Sequence, residues 1–167
     1  MNTTIRIAVP SDAPAMAEVI MRSWEAAYEN ILLPEYIYEK NNTRVELYKR
    51  VITDENSSSY VILQDGEIAG TMKLDEATDD DLSKEYCEMH YIYLHPRYFR
   101  QGIGTFAVAF AVNKARELGK TYISVWVISE NINSVGFYEK NGFVADGTIK
   151  TQERGKPVEI MRMIRNI

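Results

Sequence analysis

The sequence predicts a mixed α/β fold in which one sheet carries helices on both faces. Three observations lead there. Strand-like and helix-like periodicities follow one another in the order β-α-α-β-β-β-α-β-α-β-β. Asp65-Gly66 sits between two alternating apolar runs, and Asp-Gly supplies the positive φ angles that a tight hairpin turn needs. The second half of the chain reads strand, helix, strand, a unit whose right-handed crossover sets two strands parallel.

Residues 4–9 alternate and predict the first strand. Ser11 offers an N-cap, after which Met16, Ile20, Ser23, Trp24 and Ala27 fall on one helical face. A second helical stretch covers residues 43–52, and residues 60–64 and 67–74 form the arms of the hairpin. Beyond an acidic loop, residues 86–95 predict another strand. Residues 102–118 are apolar almost all round, which predicts a largely buried helix closed by Gly119 at its C′ position. Residues 121–127 are rich in β-branched and aromatic side chains and read as a buried strand. A short helix over 133–140 ends at Asn141-Gly142, and residues 143–147 and 157–164 supply the last strands. The total is seven strands.

At 167 residues and 46% hydrophobic content, the chain fits a single domain, 1–167, able to bury an ordinary core. Nineteen Lys and Arg stand against 24 Asp and Glu, a formal charge of −5 that disfavours nucleic acid as the main partner. One cysteine, Cys87, builds neither an internal disulfide nor a Cys-rich zinc site, and no metal is expected. No apolar run approaches ~18 residues, so no transmembrane helix or membrane partner is expected. The first residues lack a basic segment followed by an apolar one, which predicts no signal peptide and a cytoplasmic location.

The stretch from Tyr91 to Thr105 carries the most chemistry. A strand ends at His95-Pro96, and a loop containing Gly102 and Gly104 leads straight into a helix. Glycines allow a ligand close to the backbone, and the first amides of a helix have no intrahelical acceptor. Such a turn is an anion site suited to a phosphorylated ligand. The same residues also suit a plain glycine-assisted turn. Gly102 to Ala107 further satisfies GxGxxA, the dinucleotide fingerprint, and Glu130 follows the next strand. An NAD-dependent oxidoreductase therefore stays open, although the loop lies late in the chain and no second Rossmann half follows.

A second block runs Asn131-Ile132-Asn133-Ser134-Val135-Gly136-Phe137-Tyr138-Glu139-Lys140-Asn141-Gly142-Phe143. Phe137 and Phe143 suit a core, with Tyr138 a partly buried aromatic whose hydroxyl finds a partner. Together the two blocks resemble the GNAT superfamily of acyl-CoA-dependent N-acetyltransferases, whose members carry a (Q/R)xxGx(G/A) loop after the fourth strand and an NxxAxxFYxxxGF stretch after the fifth. The element order matches too. This chain departs from the pattern in three places: Phe99 replaces the usual Gln or Arg, Arg100 stands where glycine is common, and Ser134 replaces Ala.

The resemblance implies a GNAT-like fold, with a central, mostly antiparallel, twisted sheet of about seven strands, and acetyl-CoA as cosubstrate. The backbone of Ile92, Tyr93 and Leu94 would pair with the pantetheine arm as an added strand pairs with a sheet edge. Amides of Arg100, Gln101, Gly102, Ile103, Gly104 and Thr105 would hold the pyrophosphate. Asn131, with Ser134 in the same turn, would contact the cofactor, and Tyr138 would lie beside its sulfur. By the same analogy the segment 24–34 borders the acceptor pocket, which Trp24 and Tyr28 would line, although a helical Trp four residues before a Tyr is more often plain packing. The acceptor would be a primary amine of a small molecule or peptide, and a homodimer is left open.

Acyl transfer needs a neutral amine, and removing a proton of pKa ~10.4 at pH 7 costs roughly 4–5 kcal/mol. Glu88, His90, Ile92 and Leu94 share one face of their strand by period-two alternation. Glu88 matches a glutamate that many family members use as base, and His90 is the second candidate; both would border the acceptor. Tyr138 would hydrogen-bond the developing thiolate, since full proton transfer from a phenol of pKa about 10 to a thiolate of pKa about 8.5 is uphill by about 2 kcal/mol. Cys87 points to the opposite strand face, so direct transfer is expected over an acyl-enzyme. A catalytically silent acyl-CoA-binding regulatory module remains as an alternative. Finally, Asp75, Glu76, Asp79, Asp80, Asp81, Glu85 and Glu88 stand against Lys84 alone, which predicts a field that concentrates cationic amines such as polyamines, or a merely solvated loop.

Overall fold

The computed structural model describes residues 2–53 and 58–167. Its strands are β1 (Thr3–Ile7), β2 (Ser59–Gln64), β3 (Glu67–Glu76), β4 (Tyr86–Leu94), β5 (Tyr122–Ile128), β6 (Val144–Glu153) and β7 (Pro157–Asn166). Its helices are α1 (Ala13–Tyr28), α2 (Pro34–Thr53), α3 (Ile103–Glu117) and α4 (Ile132–Lys140). The seven strands follow the order β1-β2-β3-β4-β5-β7-β6. β1–β2, β2–β3, β5–β7 and β6–β7 pair antiparallel, and β4–β5 pair parallel as the crossover requires. Among the described residues no helix is long and apolar enough to cross a membrane. The chain gathers into two compact units, residues 1–73 with 91–107, and residues 74–90 with 108–167.

In the first unit Asp65 (φ 51°) and Gly66 (φ 89°) make the turn between β2 and β3 that Asp-Gly predicts. Register slips by one residue between Ile62 and Leu63, so β3 bulges at Ala69. Next to the bulge, a Cβ on Gly70 would fall 2.7 Å from the Tyr93 carbonyl oxygen, so only glycine lets the end of β4 lie this close. Ser11 does not cap α1. A short 3-10 turn, Pro10–Asp12, precedes it, and the Asp12 carboxylate accepts from Val9 N at 2.8 Å and from Arg6 at 2.7 and 2.9 Å. The Arg6 hydrogen bonds hold the Asp12 carboxyl below its ordinary value despite burial.

The second helix begins nine residues earlier than expected. Pro34 opens α2, because a proline at the first helical position lacks only an N–H that has no acceptor there. The longer helix buries one stripe, Ile37, Asn41, Arg44, Tyr48 and Ile52, and packs against α1. The α3 helix is closed by Gly119 (φ 73°) as expected, but it is not buried all round. Ala107, Val108, Ala111, Val112 and Ala115 face inward, while Phe106 and Leu118 are exposed.

In the second unit β4 pairs with β5 from Tyr86↔Tyr122 to Glu88↔Ser124, and β5 pairs with β7 along its whole length. The β6 strand outruns the expected 143–147. Gly147 (φ 91°) ends nothing: it sits in a bulge between Ala145↔Met163 and Ile149↔Met161, after which pairing resumes to Glu153. Asp146 shapes the bulge by accepting from Thr148 N at 2.8 Å. Its other oxygen accepts from Arg162 Nε at 2.6 Å.

Candidate functional site

The loop before α3 is built from its own residues. His95 N donates to Ala69 O at 2.9 Å, which ends β4, and Pro96–Tyr98 forms a 3-10 turn. Arg97 ties the turn to Glu67 at 2.8 Å, and Gln101 Nε2 folds back onto Arg97 O at 2.8 Å. The chain then reverses through Arg100 (φ 62°) and Gly102 (φ 81°). Arg100 thus occupies a left-handed position that suits glycine and costs an L-residue roughly 1–2 kcal/mol. The first intrahelical bond runs from Phe106 N to Gly102 O at 3.0 Å. The amides of Ile103, Gly104 and Thr105 therefore open α3 without intrahelical acceptors, and the positive end of the helix dipole adds to them. Strain together with a run of free amides describes an anion cradle made of backbone, which no side chain at Phe99 has to complete.

Asn131 has a structural task that the sequence motif does not disclose: its Oδ1 accepts from Ser134 N at 3.2 Å and caps α4. Both residues of that turn are thereby placed together. Tyr138 is 6% exposed on α4, with its ring edge-on to Phe137 at 5.3 Å and to Phe143 at 5.5 Å.

Strand alternation brings Glu88 and His90 together as expected. His90 Nδ1 lies 3.1 Å from Glu88 Oε1, and its Nε2 lies 4.0 Å from Asp75 Oδ2. The Glu88 side chain is 10% exposed against 30% for His90, so the carboxylate is the more desolvated and the imidazole the more open to water. Cys87, one residue away, is buried and donates to Tyr122 O at 3.6 Å. Burial pushes its thiol up to about 11, which leaves almost no thiolate at neutral pH.

Trp24 and Tyr28 also meet, with ring centroids 5.3 Å apart, and Tyr36 stacks on Trp24 at 6.5 Å. The sequence reading misses the residue between the two helices. Arg44 of α2 lies with its guanidinium carbon 4.0 Å over the Trp24 ring and donates from Nε to Asn41 Oδ1 at 2.8 Å. Its signal was available: 37, 41, 44, 48 and 52 form one helical stripe, and a charged residue within it is out of place.

Part of the acidic run is taken up by the fold. Glu76 pairs with Lys120, and Asp79 pairs with Lys150 and with Arg162. Asp81 takes both terminal nitrogens of Arg162, at 2.8 and 2.6 Å. Three cations distant in sequence therefore meet three of the seven acids expected to steer a cationic amine, Glu76, Asp79 and Asp81.

Residues 18–143 match the model of the acetyltransferase (GNAT) family. The chain belongs to that family. This GNAT chain is 24% identical over 148 residues to an uncharacterized N-acetyltransferase of Methanocaldococcus jannaschii, spanning 88% of its own length and 63% of that relative, less than two thirds of it. It is 23% identical over 154 residues to the spermidine N(1)-acetyltransferase of Thermoplasma acidophilum, covering 89% and 92% of the two chains. In fold it resembles the PaiA N-acetyltransferase of the same organism, solved in complex with coenzyme A, with a TM-score of 0.83, 21% identity and full coverage of both chains.

Proposed function

We propose that this GNAT chain acts as one catalytic domain, 1–167, and moves the acetyl group of acetyl-CoA directly to a primary amine of a small molecule or peptide. The observation that carries this reading is the strained Arg100–Gly102 turn, which opens α3 with its first amides free in a chain of this family. Those amides, from Arg100 to Thr105, bind the pyrophosphate. Ile92 and Leu94 lie beyond the β4–β5 ladder of Tyr86–Glu88, and their backbone, with that of Tyr93, pairs with the pantetheine arm. Asn131 and Ser134 border the cofactor, and Trp24 and Tyr28 border the acceptor.

Glu88 takes the proton of the acceptor ammonium, directly or through a water. His90, 3.1 Å away, also borders the acceptor and relays that proton to solvent. The free amine then attacks the thioester carbonyl; the tetrahedral intermediate gives its surplus N–H proton to Glu88, emptied again through His90, and collapses with cleavage of the C–S bond and loss of the CoA thiolate. Tyr138 donates a hydrogen bond to that sulfur as charge develops. Cys87, with its thiol held protonated, plays no part as a nucleophile.

Release of free thiol from acetyl-CoA in the presence of a panel of amines tests the reaction. Binding of acetyl-CoA to the native state raises Tm with dose by mass action, and NAD at the same concentration does not. Stabilisation by NAD and not by CoA overturns the assignment of the loop. Stabilisation by acetyl-CoA with no thiol release from any amine assigns the chain to regulation instead of catalysis.

Tyr138→Phe lowers kcat by roughly tenfold or more with CoA affinity retained, because the hydroxyl acts chiefly on charge absent from the ground state. Steady-state kinetics beside titration calorimetry with CoA check this. An unchanged kcat would reduce Tyr138 to packing between Phe137 and Phe143.

A further inference from the structure

We propose that the amine acceptor carries a carboxylate and that Arg44, backed by Trp24, binds it. The inference rests on the acetyl-transfer reading, in which Trp24 and Tyr28 border the acceptor.

Among the described residues two arginines are almost fully buried, and they differ in one respect. Arg162, 3% exposed, is met by the carboxylates of Asp79, Asp81 and Asp146. Arg44, 6% exposed, meets no carboxylate among the described residues. Its surroundings are aromatic: Trp24 beneath it, with Tyr28, Tyr36, Tyr48 and Tyr93 near enough to act on its charge. Burial lowers its pKa, but a guanidinium stays charged at any physiological pH.

Asn41 satisfies Nε, yet Arg44 Nη2 is buried with no hydrogen-bond partner, and so is the indole Nε1 of Trp24, the ring on which it rests. Buried polar groups are nearly always paired, and two adjacent orphans of the same sign need one explanation. Both are donors, so what is missing is an acceptor. A planar carboxylate brings two acceptor oxygens and the charge the guanidinium lacks.

The same geometry speaks against a polyamine. An aromatic wall attracts a cation, but Arg44 already covers the Trp24 face at 4.0 Å. A second cation there would meet a desolvated positive charge.

Matched acceptor pairs test the proposal: L-phenylalanine with phenethylamine, L-methionine with 3-(methylthio)propylamine, and L-ornithine with putrescine, with spermidine added. The carboxylated member of at least one pair is expected to have kcat/KM higher by about 100-fold or more, as for a site whose buried donors go unpaired without the substrate group. Arg44→Met brings that ratio to within about threefold of one through the KM of the acid, with the Kd for CoA unmoved. Arg44→Lys, which keeps charge without the fork, falls between. If Arg44→Met does not fold, Trp24→Phe, which removes only one of the two donors, shifts the ratio in the same direction by less.

Decarboxylated amines or spermidine turned over as well as the amino acids would overturn the proposal and leave acetyl transfer standing. So would a change in CoA affinity in place of acceptor KM. If no amine is acetylated, acetyl transfer fails, and calorimetric titration of the amino acids into the CoA-bound protein decides Arg44 separately. Heat that Arg44→Met abolishes supports the carboxylate site, and no heat with wild type overturns it.

Discussion

Glu88→Gln lowers kcat at neutral pH by roughly 100-fold or more, the usual scale for losing a positioned general base. The substitution keeps size and one acceptor oxygen and removes the charge and the site that takes the proton. His90, at 3.1 Å, sets the control: His90→Ala removes the relay and loses less than Glu88→Gln. A loss of that size in His90→Ala, with Glu88→Gln near wild type, would transfer the role of base to the imidazole. Measuring kcat of both variants with one acceptor separates the outcomes.

Arg162→Met destabilises the fold by about 3–5 kcal/mol, the scale for removing one partner of a buried ionic cluster. Arg162 donates to Asp79, Asp81, Asp146 and the Thr148 hydroxyl, and so ties the acidic segment after β3 to the β6 bulge. Methionine fills much of the space and leaves Asp79 and Asp146 with fewer donors. Lysine restores charge without the fork and recovers part of the loss.

The cluster also sets a pH dependence. Hydrogen bonds from Arg162 hold the Asp81 carboxyl below its ordinary value. Burial pushes Asp79 upward, but Lys150, Trp126 and Arg162 outweigh it, and its pKa is lowered too. Groups with depressed folded pKa values contribute stability above the unfolded value of 3.8 and lose it as pH falls through the folded ones. Urea denaturation at pH 7 and at pH 3 checks this: the gap between wild type and Arg162→Met narrows at the lower pH. A gap that stays constant would remove the aspartates from the account.

Signals that act within a few residues were legible in the sequence. Asp65-Gly66, Gly119 and Asn141-Gly142 each close an element where expected, because a left-handed φ is a local requirement. Alternation alone put Glu88 and His90 on one face and Cys87 on the other. The two motifs that mark the family were legible for the same reason, each being one continuous loop and helix start. A local signal with two meanings misled: Gly147 ends a strand or bulges it, and the partner β7 decides which.

What only the tertiary structure decided is which charges meet. The acidic run reads as a field in sequence, whereas Lys120, Lys150 and Arg162 reach it from 44, 71 and 83 residues away. The stripe 37, 41, 44, 48 and 52 marks Arg44 as a charge out of place, but only the fold sets it on Trp24. The sequence determined the family, the glycine loop before α3 and the strand face shared by Glu88 and His90, because backbone conformation and strand alternation are set by near neighbours. Which charges are cancelled and which is left to meet a ligand depends on desolvation and on distances across the fold, and no local pattern encodes those.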